Sequence, residues 1–102
     1  MTDPRGVMVL VYGQLRDPAS AQGLHDAVTV STRAQAEAAG GLSHRTYLNP
    51  EDPRDFLAVD EWPSVDAYRA FASDPRIEDF FGRLFEGEHR VRVYVSSGWT
   101  EW

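Results

Sequence analysis

From Val7 to Leu15 the chain reads VMVLVYGQL, apolar at every position as far as Tyr12. In a strand, Val7, Val9 and Val11 line one face and Met8, Leu10 and Tyr12 the other. Asp17 and Pro18 then carry a helix start, as N-cap and first helical residue. Ala21, Leu24, Val28, Ser31, Gln35 and Ala38 recur at helical spacing up to the stop at Gly40-Gly41. This predicts a helix of about 22 residues, roughly 33 Å long. A second strand is expected over 42–49. NPEDPRD, with its two prolines, is a turn, and Phe56 to Trp62 is a third strand with Leu57 and Val59 on one side and Phe56, Ala58 and Trp62 on the other.

The remaining pattern is helical, then extended. Ser64 is placed to cap a short helix with Asp66 in its first turn and Val65, Tyr68, Phe71 and Ala72 on its inner face. SDPR restarts the chain, with Asp74 as cap and Pro75 at the first helical position. Ile77, Phe80, Phe81 and Leu84 form the apolar stripe of that helix, and Gly87 is its expected stop. Arg90 to Ser97 reads as a last strand, and GWTEW follows it. The order is βαββαβ with a split second crossover, an α+β ferredoxin-like arrangement with a four-stranded antiparallel sheet and helices on one face. The 102 residues are read as one domain, with 1–6 and 98–102 as terminal arms. Helices on one face leave the other apolar face open, and a second copy is its simplest cover, giving a homodimer through sheet faces.

Charge and composition narrow the function classes. The net charge is −6, all ten basic residues are arginine, and no basic surface for nucleic acid is visible. There is no cysteine, hence no disulfide framework and no thiol nucleophile. No apolar run approaches the ~20 residues of a membrane span, and MTDPRGVMVLVYG lacks the features of a signal peptide. A cytoplasmic location is the expectation. The three histidines have no HxH or HxxxH spacing, so no metal site is expected; His25 reads as solvated, His44 as a residue of the other sheet face and His89 as a loop residue. No phosphate-loop or dinucleotide pattern occurs, and no cofactor is expected.

The aromatic residues converge. A hairpin turn centred on Asp52-Pro53 pairs Arg45 with Asp60, Tyr47 with Ala58 and Asn49 with Phe56. Paired residues share a face, and Trp62 lies on it too. Tyr68, on the following helix, can look back at Trp62. This predicts a pocket with Tyr47 as floor, Trp62 as rim and Tyr68 as roof, apolar with a few fixed donors. Asp60, two residues before Trp62, is the nearest carboxylate and the candidate base, with Arg45 opposite it. The bland reading stands beside this one: large aromatics dominate most cores, Arg45 and Asp60 can form a simple cross-strand ion pair, and Trp99 and Trp102 can pack on a partner or on the sheet rim.

The stretch TYLNPEDPRDFLAVDEWPSVDAYRAFASDPR resembles the antibiotic biosynthesis monooxygenase family, whose members are dimeric α+β barrels. The likeness is greatest to the cofactor-free anthrone monooxygenases of aromatic polyketide pathways. Tyr47, Trp62 and Tyr68 match positions that face the substrate there. The resemblance therefore implies a cofactor-independent monooxygenase that oxidises a polycyclic aromatic or phenolic small molecule with O2. Together with the hairpin reading, it makes Tyr47, Trp62, Tyr68 and Asp60 the catalytic candidates, and Arg45, Phe56, Ala58, Phe71 and Phe81 the substrate-binding ones. Departures are visible. An asparagine of those enzymes falls at Ala58 and a pocket arginine at Phe81, while a histidine common elsewhere in the family falls at Phe71. RIEDFFGRLF holds no histidine, which disfavours the haem-degrading branch. Two alternatives stay open: a dimeric barrel that binds a small apolar ligand without turnover, and a cyclase- or isomerase-like relative using the same pocket.

Overall fold

The computed structural model describes residues 6–100 and 102; most of the expected N-terminal arm, 1–5, lies outside the described residues. The elements are β1 (Val7–Gln14), α1 (Pro18–Ala38), β2 (Ser43–Asn49), β3 (Asp52–Trp62), α2 (Val65–Ala72), α3 (Pro75–Leu84) and β4 (Arg90–Val95). The strands form one antiparallel sheet in the order β2-β3-β1-β4. This is the ferredoxin-like βαββαβ arrangement expected from the pattern, with the second crossover made of two helices.

The caps form as their side chains require. Asp17 accepts from the Ala19 N–H, Ser64 from the Ala67 N–H and Asp74 from the Arg76 N–H, each occupying a donor that a helix start leaves free. Arg76 also binds the Asp74 carboxylate and reaches Gln35, so the α3 cap is tied to α1. These contacts hold the Asp74 carboxyl well below the usual carboxylate range, the Arg76 hydrogen bond first among the causes. At Gly40 φ is +97°, and a Cβ there would stand 2.9 Å from Pro63 Cγ. A side chain would fit neither the backbone conformation nor the space.

One sheet face carries the core. Val7, Val9 and Val11 pair with Trp62, Asp60 and Ala58 of β3, and all but Asp60 are buried. Leu84 and Phe85 pack beneath, Phe85 edge-on to Phe56 with centroids 5.8 Å apart. α3 ends at Leu84, three residues before the expected glycine stop, because Phe85 turns extended and bridges Leu15. The last strand likewise ends at Val95 rather than Ser97. The other sheet face bears no described helix and leaves Met8, Tyr47 and Tyr94 44–50% exposed.

The β2–β3 hairpin corrects the expected register. The turn lies at Pro50-Glu51 rather than at Asp52-Pro53. Asn49 Oδ1 accepts from the Glu51 N–H at 2.9 Å and Asp52 Oδ1 from the Arg54 N–H at 3.0 Å. Asn49 pairs with Asp52, the register then shifts, and Leu48 pairs with Phe56. From there His44 faces Asp60, Thr46 faces Ala58 and Tyr47 faces Leu57. The pairing has slipped by one residue from the expectation, which exchanges the faces of every β2 side chain. Arg45 and Tyr47 are therefore on the open face, and His44 is on the helix face.

Candidate functional site

A cavity of about 410 Å³ opens between the helix face of the sheet and the three helices. β3 supplies Phe56, Ala58, Asp60 and Trp62; α2 supplies Tyr68 and Phe71; α3 supplies Phe80 and Phe81. Trp62 is held from three sides. The Tyr68 ring meets it edge-on at 6.0 Å, Phe71 lies tilted at 5.2 Å, and Gly41 passes so close that a Cβ there would sit 3.3 Å from the indole Cη2. The indole is 2% exposed. Its Nε1–H points at Asp60 Oδ2, 3.5 Å away.

Seven of the nine sequence-predicted residues meet at this cavity: Phe56, Ala58, Asp60, Trp62, Tyr68, Phe71 and Phe81. Arg45 and Tyr47 do not. The shifted register turns them to the opposite side, so Tyr47 cannot be the pocket floor and Arg45 is not the partner of Asp60. Trp99 is 81% exposed and does not pack on the rim of its own sheet.

Two histidines take the vacated role. His44 Nδ1 stands 2.6 Å from Asp60 Oδ1, and His25 Nε2 stands 2.7 Å from His44 Nε2. The two imidazoles meet edge to edge through these nitrogens, with centroids 5.0 Å apart and planes 16° from parallel. His25 Nδ1 reaches Asp26 Oδ1 at 2.9 Å. His25 thus lies on the buried stripe of α1, which continues through Val28, Thr32 and Ala36 rather than through Ser31, Gln35 and Ala38. Sequence reasoning missed it because the stripe was carried onward by three residues at Val28, where the helix uses four. The signal was present: Ala21, His25, Val28 and Thr32 are spaced four, three and four apart.

Electrostatics follow the geometry. The hydrogen bond to Asp60 raises the His44 pKa above its ordinary 6.5; desolvation opposes this and the Asp60 charge adds to it. Burial, and then the Asp60 charge, push Tyr68 up to about 12, so its phenol keeps its proton and remains a donor at neutral pH. His89 moves the other way: partial burial beside Phe81 and Phe85 lowers its pKa. Among the described residues, no group of three or more His, Cys, Asp or Glu side chains is placed to hold a metal ion. No described helix is long and apolar enough to cross a membrane. The site is an aromatic chamber with phenol and indole donors and a carboxylate–imidazole chain in one wall, suited to binding a flat apolar molecule and moving a proton to or from it.

The chain has the fold of the antibiotic biosynthesis monooxygenases. A solved antibiotic biosynthesis monooxygenase superposes with a TM-score of 0.70 over 88% of this chain and 97% of its own, at 16% identity. SnoaB, a cofactor-independent oxygenase from Streptomyces nogalater, gives 0.69 over 92% and 97%, also at 16% identity. Rv0793 from Mycobacterium tuberculosis gives 0.69 over 93% and 98%, at 22% identity. No protein-family model and no curated protein sequence matches the chain. At these identities the likeness is one of fold, and the chemistry must be argued from the cavity.

Proposed function

We propose that the protein is a cofactor-independent monooxygenase that oxidises a polycyclic aromatic or phenolic, anthrone-like molecule with O2. One observation carries this reading: an aromatic-walled cavity has the Asp60–His44 pair and the Trp62 N–H directed at one another in its wall. An anthrone-like CH2 group flanked by aromatic rings is acidic enough for a carboxylate–imidazole pair to deprotonate. The resulting anion passes an electron to O2, and the two recombine to a peroxide. Loss of the second C–H proton with O–O cleavage gives the ketone and one water, so CH2 plus O2 becomes C=O plus H2O. Asp60 is the base with the Trp62 N–H directed at its carboxylate, the Tyr68 hydroxyl stabilises the oxyanion, and Phe56, Ala58, Phe71 and Phe81 clasp the ring system. A second copy covers the open sheet face and completes a dimeric barrel.

Ala58 and Phe81 favour a second reading, a barrel that binds an apolar ligand without turnover. They are apolar where the resembling anthrone enzymes carry an asparagine and an arginine. Oxygen uptake separates the two readings. With the anthrone dithranol, at a pH where its own oxidation is slow, the protein should consume O2 well above the blank without added flavin or metal. Saturable binding of dithranol with no uptake above the blank overturns the oxygenase reading in favour of the binding one.

A further inference from the structure

The edge-to-edge imidazoles raise a question of proton count. Asp26 and Asp60 stand at the two ends of the chain Asp26–His25–His44–Asp60, and each presents a carboxylate oxygen to an Nδ1. Both carboxylates accept, so both Nδ1 atoms should carry protons. The two Nε2 atoms then face each other at 2.7 Å, a separation that two bare lone pairs would resist. One further proton between them satisfies every contact. Three protons on four nitrogens make the pair a single imidazole–imidazolium cation between two anions.

We propose that Asp60, His44 and His25 act together as a store for one proton, delivered into the cavity through Asp60 and taken back the same way. The atoms balance. The His44 Nδ1–H bond breaks as an Asp60 Oδ1–H bond forms, and the His25 Nε2–H bond breaks as a His44 Nε2–H bond forms. The cation and carboxylate become two neutral imidazoles and a carboxylic acid, with no net change of charge. In the oxygenase cycle Asp60 first passes the initial C–H proton to the peroxide anion, and the stored proton then goes through Asp60 to the hydroxide that leaves on O–O cleavage. A later proton from the substrate, arriving at Asp60, drives both shifts in reverse and restores the cation.

The surroundings suit this. His25 and Asp60 are 16% and 14% exposed, whereas Asp26, which only anchors the outer Nδ1–H, is 58% exposed. His44 is 38% exposed, but its Nε2 is occupied by His25. Thr29 Oγ1 lies 3.3 Å from His25 Nε2, and the Phe80 ring packs against the His25 imidazole at 6.3 Å. The other titratable groups facing the cavity are Tyr68 from α2 and Arg33 and Glu37 from α1, the last two paired with each other at 2.7 Å.

The catalytic role rests on the oxygenase reading, whereas the shared proton does not, so the test has two arms. In the ligand-free protein, nitrogen-15 spectra of the histidine rings should show coupling across an Nε2–H–Nε2 bridge, with both Nε2 shifts between those of a bare and a protonated nitrogen. Absence of the coupling, or its loss to stoichiometric Zn²⁺ binding at these rings, overturns the store whether or not the protein oxidises anything. In the active protein, His25→Ala should lower turnover by about 10²-fold. Imidazoles added at fixed pH should restore turnover in proportion to their basicity. Equal rescue by the feebly basic pyrazole would reduce His25 to a space-filler and overturn the proposal. His25→Gln, which keeps much of the volume, should be slow while melting as the parent does; full turnover in that variant also overturns it.

Discussion

His44 and Asp60 sit directly across from each other on β2 and β3, with Nδ1 and Oδ1 2.6 Å apart. Because this contact raises the His44 pKa above 6.5, the native state holds a proton that the unfolded chain releases first. The contribution is fully present below pH 6.5 and is lost as pH rises through the folded value. Urea unfolding across pH 5.5 to 8.5 should therefore show a component of stability that falls with rising pH. Asp60→Asn should flatten that component. An unchanged slope in this variant would remove the pair as its source.

Tyr68 tests whether the aromatic chamber works or merely packs. Its side chain is 7% exposed, and its phenol stays protonated up to about pH 12. Tyr68→Phe keeps the ring against Trp62 and removes only the hydroxyl. Losing a substrate hydrogen bond should cost roughly 1–3 kcal/mol of transition-state stabilisation, or about 5- to 150-fold in rate, while the melting temperature barely moves. Trp62→Phe shrinks a ring enclosed by Tyr68, Phe71 and Gly41, so it should lower both rate and stability. If the residues are core alone, Tyr68→Phe is silent in the oxygen-uptake assay and Trp62→Phe costs stability only.

Element order, the three helix caps and most of the cavity wall were legible because they depend on local patterns. Caps are chosen by the residue itself, and Ile77, Phe80 and Leu84 repeat within one helix. The residues that form the proton chain were not legible, because each depends on a choice of one position. At Val28 an apolar stripe can continue by three residues or by four, and this decides whether His25 points inward. At the β2–β3 turn, Pro50-Glu51 and Asp52-Pro53 both offer turn chemistry, and the choice decides whether His44 or Arg45 meets Asp60. Asn49 settles the second point by closing the tighter turn onto Glu51.

Gly13 lies close against the core beneath the sheet. A Cβ at this position would lie 2.9 Å from Cδ1 of Phe85, whose side chain is itself wholly enclosed. The ring cannot retreat without disturbing Phe56 and Phe81. Gly13→Ala should therefore destabilise by about 1–3 kcal/mol, as overpacking does, and denaturant titration would read this directly. A variant as stable as the parent would show that the ring has room to move.

Tyr47 separates the open sheet face from the cavity. It stands opposite Leu57 on the face that no described helix covers, and it is 50% exposed. Met8 and Tyr94 on the same face are 44% and 50% exposed, and on this face Arg92 also lies 5.7 Å over the Tyr12 ring. Apolar surface of this extent favours self-association. Sedimentation at micromolar concentration should give about twice the 11.5 kDa chain mass. Tyr47→Asp places a charge on that face and touches no cavity wall, so it should shift the protein toward monomer and leave the shared-proton signal of His25 and His44 intact. If Tyr47→Asp instead abolished oxygen uptake while the protein remained dimeric, the hydroxyl would have to reach a substrate across the sheet, and the pairing of Tyr47 with Leu57 would be wrong. A parent protein that sediments as a monomer would leave the open face to some other occupant.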